Sequence, residues 1–126
     1  MKSPKRLDIY YARLEEKVGS VQHGHRPVVI IQNDVGNHYA TSLIVAPMTS
    51  QIKKVLPTHV IVGPDVGIRE ASLILCEQIT TISTLQLDEK IGRIRNKKVI
   101  RELNEALAVA IGLDPNYNFD ERDNDT

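Results

Sequence analysis

Apolar residues in this chain come in short, dense runs, each closed by hydroxyl, amide or carboxylate side chains. Val28 to Ile31 stops at Gln32-Asn33-Asp34, and the same grammar recurs over residues 45–51 (VAPMTSQ) and 72–78 (SLILCEQ). Runs of that length and aliphatic character predict buried strands. Polar groups at their ends predict a rigid sheet that holds its chemistry out on loops. The pattern predicts strands over 7–14, 28–32, 43–48, 59–62 and 91–94, with 72–77 and 79–82 forming one long or bent strand. Between them lie a loop over 15–24, a polar turn over 33–41 and a loop over 49–57. Gly63, Pro64 and Gly67 mark a further turn. Pro27 cannot donate to a ladder and is expected at a strand start, and Pro47 is expected at an edge or bulge.

Residues 96–111 change period. Val99, Ile100, Leu103, Ala106, Leu107, Ala110 and Ile111 recur at three and four, which predicts an amphipathic helix. Asn96 is its expected N-cap and Gly112 its expected stop. Many short strands and one terminal helix predict a mainly β chain with a C-terminal helix (α+β), a small β-barrel or curled sheet.

The chain has 126 residues, which suits one domain. No apolar run is long enough for a membrane span and no apolar signal region follows the basic N-terminus, so a cytoplasmic protein with no membrane association is expected. Cys76 has no second cysteine to pair with, and within SLILCEQ it reads as a buried strand thiol. The zero net charge conceals an asymmetry. Residues 114–126 hold five acids against Arg122, so the remainder carries four net positive charges. A basic body suits a nucleic-acid partner. The expected division is therefore a functional domain over 1–113 and an acidic, disordered tail over 114–126 that could fold back on the basic surface.

GSVQHGHRPVVIIQND (19–34), VAPMTSQIKKVLPTHV (45–60) and LCEQITTI (75–82) stand in this order. Together they resemble the MazF/PemK/Kid family of toxin endoribonucleases, over roughly residues 8–113. The resemblance implies an SH3-like β-barrel of the MazF/PemK/CcdB type with a C-terminal helix. It implies a homodimer that cuts single-stranded mRNA without a metal or cofactor, neutralised by a cognate MazE-like antitoxin. Cleavage of that kind sends the 2′-hydroxyl onto its own phosphate and leaves a cyclic phosphate and a 5′-hydroxyl. The enzyme must align the attack, move protons and stabilise phosphoryl charge. Two other readings compete: a gyrase poison of the CcdB kind, and an inactive barrel kept for binding RNA or protein.

Arg26 stands at a loop-to-strand junction, and its fork matches a phosphate, although a surface ion pair is the plain alternative. The resemblance places the family's catalytic arginine at Arg26 and its catalytic hydroxyl at Thr49. A strand-end Thr satisfying its own turn is the alternative for Thr49, and Ser50 could support it. Gln22, Asn33, Gln51 and Gln78 are amides that could read unstacked bases or simply close turns, and Ser20 lies beside Gln22. Lys53 and Lys54 suit phosphate contacts or a solvated loop. Glu77 interrupts an apolar run and is expected to orient Arg26 or contact RNA, unless it is an ordinary exposed carboxylate. His23, His25 and His59 could move protons or be structural, which leaves Arg26's own part in proton transfer open. No His/Cys/Asp spacing suggests a metal site. Three positions depart from the family pattern: Leu7 replaces a Gly, Val21 a Glu and Thr80 an Arg.

Overall fold

A computed structural model describes residues 3–16, 18, 19 and 21–117. Seven strands form one antiparallel sheet: β1 (Asp8–Leu14), β2 (Gly24–Ile30), β3 (Ser42–Thr49), β4 (His59–Val62), β5 (Ser72–Leu75), β6 (Thr80–Ser83) and β7 (Leu87–Arg93). Their order is β4-β5-β3-β2-β1-β7, with β6 on β3 beside that path. Two α-helices complete the described residues, α1 (Asp34–Tyr39) and α2 (Lys97–Ala110). The mainly β architecture with a C-terminal helix is as expected, and of the barrel or curled sheet it is the curled sheet that forms, because the path ends at β4 and β7 without pairing them.

The ends nevertheless meet by another route. The turn that follows β4 lies so close to β7 that a methyl group on Gly67 would overlap the Ile91 carbonyl, and one on Gly92 would overlap the Val66 carbonyl. Gly67 also has φ +107°, which only glycine adopts without strain.

The continuous apolar runs arise because both faces of the sheet are buried. Ile9, Val29, Ala46, Met48 and Ile74 pack on one face with Leu103 and Ala106 of α2. Tyr10, Val28, Ile30, Leu43, Val45 and Ile82 pack on the other. Neighbours in one strand alternate between these two clusters, as the pleat requires. Full burial of one such Leu or Ile contributes about 1.5–3 kcal/mol. α2 runs as its periodicity predicts. Asn96 Oδ1 accepts from the Lys98 and Val99 amides at 2.9 and 3.3 Å, and Gly112 ends the helix at φ 79°.

β4 falls where expected and β3 within one residue of it. Four elements differ from expectation. β2 begins at Gly24, not at Pro27, because residues 24–27 pair only with β1 and leave one edge open where a missing donor costs nothing. The polar turn over 33–41 is α1, started by Asn33, whose Oδ1 accepts from Gly36 N–H at 2.9 Å. The long strand over 72–82 is two strands on one edge of β3, with a 3₁₀ turn over Cys76–Gln78 between them. Pro47 sits at this handover, where neither β5 nor β6 pairs with β3. β7 starts at Leu87, four residues early, pairing with β1 through two register shifts.

The corner where β1 begins is tightly bound. Asp8 is buried, and its Oδ1 meets Arg93 at 2.7 Å and Lys90 at 3.3 Å, while Oδ2 accepts from Lys5 N–H at 2.9 Å. Leu7 precedes it with φ 81°, a left-handed conformation that strains a leucine. This explains why its family-pattern counterpart is glycine. The Leu7 side chain joins the core in compensation.

The acidic tail lies outside the described residues beyond Tyr117. Among the described residues no helix is long and apolar enough to cross a membrane.

Candidate nucleic-acid cleavage site

Two clefts open beside the ends of these strands. The larger, about 400 Å³, is lined by Val21, Gln22, Glu77, Gln78 and Thr80, with Pro47 among the residues that complete it. The smaller, about 210 Å³, is lined by Tyr11, His25, Arg26, Ser50 and Arg69, among others. The expected residues therefore divide. Gln22, Glu77 and Gln78 come together in one cleft, and Arg26 and Ser50 in the other.

Arg26 is held by its stem. Its Nε donates to the His23 carbonyl at 3.1 Å, and no carboxylate pairs with it among the described residues. A guanidinium anchored at Nε keeps its two terminal nitrogens in the fork geometry that suits a phosphate. Among the described residues Arg26 makes no surface ion pair. Arg69, which is exposed, is a second cation on the same cleft. Sequence reasoning missed it, because a lone arginine after a turn carries no signal of where it lies in space.

Thr49 ends β3 and is 9% exposed. Its Oγ1 accepts from Gln51 N–H at 3.1 Å, which leaves the hydroxyl proton available to donate. Thr49 is adjacent to Ser50 of the smaller cleft. It pairs with Leu73 of β5, so its position is set by a ladder and not by a mobile loop.

In the larger cleft, Gln78 Oε1 accepts from Gln22 N–H at 2.8 Å, tying the 15–24 loop to the 3₁₀ turn. Gln22 Oε1 is buried with no partner among the described residues. Such an acceptor costs about 1–3 kcal/mol until something donates to it. Val21 and Thr80, both departures from the family pattern, line this same cleft.

Glu77 is corrected in one respect. It does not orient Arg26; its Oε2 meets His59 Nε2 at 2.8 Å. His25 Nε2 meets Asp88 at 2.9 Å, and its ring stacks on Tyr11 with centroids 4.8 Å apart. His23 Nδ1 lies 3.3 Å from the Val21 carbonyl. Asn33 is engaged in capping α1 and lines neither cleft. Gln51, Lys53 and Lys54 are exposed on the segment after Thr49 and line neither cleft. Ser20 lies outside the described residues. Cys76 is buried, and burial with Glu77 alongside pushes its thiol up to about 12, which leaves it protonated and inert.

Residues 5–111 match the family described as PemK-like, MazF-like toxin of type II toxin-antitoxin system. The chain is 44% identical over 111 residues to Endoribonuclease EndoA of Bacillus subtilis, covering 86% of this chain and 95% of that protein. It is 44% identical over 118 residues to Endoribonuclease MazF of Staphylococcus epidermidis, covering 92% and 95%. Among solved structures, the Mycobacterium tuberculosis toxin MazF-mt6 superposes with TM-score 0.72 at 29% identity, covering 85% of this chain and 98% of that one. The MazE-MazF complex of Deinococcus radiodurans superposes with TM-score 0.70 at 16% identity, covering 90% and 100%, a likeness of fold. With the match running almost the whole length of the sheet and α2, this chain belongs to the PemK-like, MazF-like toxins of type II toxin–antitoxin systems.

Proposed function

We propose that this protein is an endoribonuclease toxin that cuts single-stranded mRNA with its own side chains, acting in the cytoplasm as a homodimer. The observation that carries the reading is Arg26: a cation anchored through Nε, beside Ser50, within a family whose curated relatives are endoribonucleases. In this reading Arg26 stabilises charge on the phosphoryl oxygens, and the Thr49 hydroxyl donates to one of them. The 2′-hydroxyl attacks the phosphorus, the bond to the 5′-oxygen breaks, and the products are a cyclic phosphate and a 5′-hydroxyl. Gln22, Glu77 and Gln78 meet an unstacked base in the larger cleft, as single-stranded RNA is commonly read. Lys53 and Lys54, exposed after Thr49, meet flanking phosphates.

A type II toxin implies an antitoxin. The basic body suits an acidic, extended segment of that partner, which would compete with RNA for the same clefts. The tail over 114–126 offers a weaker, internal competitor. The gyrase-poison reading is not favoured, because the family match is to the PemK-like and MazF-like toxins.

The test is cleavage of a defined single-stranded RNA in EDTA, with Arg26→Ala alongside and the product ends mapped. Wild-type cleavage at a short fixed motif, with cyclic-phosphate and 5′-hydroxyl ends and loss in the variant, is the expected result. RNA binding without turnover would instead identify a binding module.

A further inference from the structure

His59 has both ring nitrogens engaged, and each bond leads to a different part of the RNA surface. Leu56 N–H donates to Nδ1 at 3.0 Å. The Nδ1 lone pair is thereby occupied, so the neutral ring carries its proton on Nε2, which donates to Glu77 Oε2 at 2.8 Å. The His59 side chain is only 7% exposed and that of Glu77 is 34% exposed. A buried ring with both nitrogens bonded has one orientation and one tautomer.

We propose that His59 is a positioning residue with two separable arms. The Nδ1 arm holds residues 50–57, the segment that follows Thr49 and carries Gln51, Lys53 and Lys54. The Nε2 arm fixes Glu77 as a hydrogen-bond acceptor on the larger cleft. Its remaining oxygen, Oε1, has no partner among the described residues. Gln22 Oε1, on the same cleft, is also an unpartnered acceptor. A wall of two acceptors favours a base edge rich in donors. The ligand class is therefore an amino-bearing base (adenine, cytosine or guanine), whose exocyclic amino group brings two N–H donors, in preference to uracil, whose edge offers the single N3–H donor between two carbonyl acceptors. This specificity rests on the nuclease reading above; the hold on residues 50–57 does not.

Two substitutions separate the arms. His59→Asn places an amide oxygen near the position of Nδ1 and keeps the Leu56 bond, but is too short to reach Glu77. His59→Gln places an amide N–H near the position of Nε2 and keeps Glu77, but leaves Leu56 N–H unpaired. The readouts are tryptic cutting at Lys53 and Lys54, and kcat/KM over RNAs varied one base at a time around the cut. His59→Asn is expected to keep wild-type tryptic resistance and to lose about tenfold of the preference for an amino-bearing base, the value of one hydrogen bond. His59→Gln is expected to keep the preference and to be cut about tenfold faster by trypsin, again one bond's worth. Both variants losing both properties together would mean that His59 is merely structural, and wild-type behaviour in both would mean that it positions nothing. Failure of the wild-type protein to cleave RNA would count against the nuclease reading, and the tryptic comparison would still decide the loop arm.

Discussion

Arg93 and Arg26 show two ways to use one side chain. Arg93 donates from one nitrogen to the buried Asp8 carboxylate at 2.7 Å and to the Arg6 carbonyl at 3.0 Å. Lys90 and Lys5 N–H complete that corner, so both oxygens of the buried carboxylate are engaged. Arg26 bonds a backbone carbonyl and makes no ion pair among the described residues, although Glu70 lines the same cleft. The first arginine holds two strands together. The second keeps its charge for something that arrives from solution. An unmatched cation at a strand end is the more informative of the two about function, because the fold alone gives it no reason to be there.

The comparison breaks if removing Arg26 harms the fold or removing Arg93 harms only the chemistry. Arg26→Ala should lower the single-turnover cleavage rate about 10²–10³-fold, as loss of one charge-stabilising donor does. Its unfolding free energy should stay within about 0.5 kcal/mol of wild type, as for a substitution that removes no core packing and breaks no ion pair. Arg93→Met should do the reverse. It leaves Asp8 buried beside Lys90 alone and should cost about 2–4 kcal/mol by urea denaturation, with kcat unchanged.

Leu7 sharpens the picture of the same corner. Leu7→Ala and Leu7→Gly both remove the buried side chain, but only Gly relieves the positive φ. The usual order should invert, with the Gly variant more stable than the Ala variant by about 0.5–1 kcal/mol. The smallest effect concerns Asp34. Its carboxyl lies below the usual range, chiefly because Arg6 N–H donates to it and then because Asn37 does. A lowered carboxyl stabilises the fold at neutral pH, and that contribution is lost as pH falls through its folded value. Asp34→Asn should therefore be slightly less stable than wild type at pH 7 and should converge with it below about pH 4.

Strong periodicity made α2, β3 and β4 readable in the sequence. The elements that were not readable each had a physical cause. α1 presents no apolar stripe to the core: Val35 and Tyr39 are 70% and 80% exposed, and its start depends on one Asn33 cap. In β7 Leu87 is followed by Asp88, Glu89 and Lys90, and its two register shifts against β1 spoil the alternation. Pro27 misled because the effect of a proline depends on whether its edge is paired, which is a property of the neighbouring strand. The site was legible as a set of side chains at strand ends, and not as two clefts. No spacing along the chain reveals that Gln22 lies with Gln78, or Arg26 with Arg69. The His59–Glu77 bond joins residues 18 apart across a turn, and neither residue type announces the other.

The contact between Gly67 and Gly92 has a consequence for how this protein can change. The sheet is not closed by strand pairing, yet the turn after β4 rests on β7 backbone against backbone. Such a seam has no side chain to trim and therefore no intermediate settings. Most core positions can drift through Val, Ile and Leu by small steps. These two cannot take even a methyl group without prising the seam apart. In a library selected only for soluble expression, with no demand for toxicity, Gly67 and Gly92 should stay fixed while the rim around Arg26 randomises. The positions most sharply restricted in this toxin would then be ones that never meet its target.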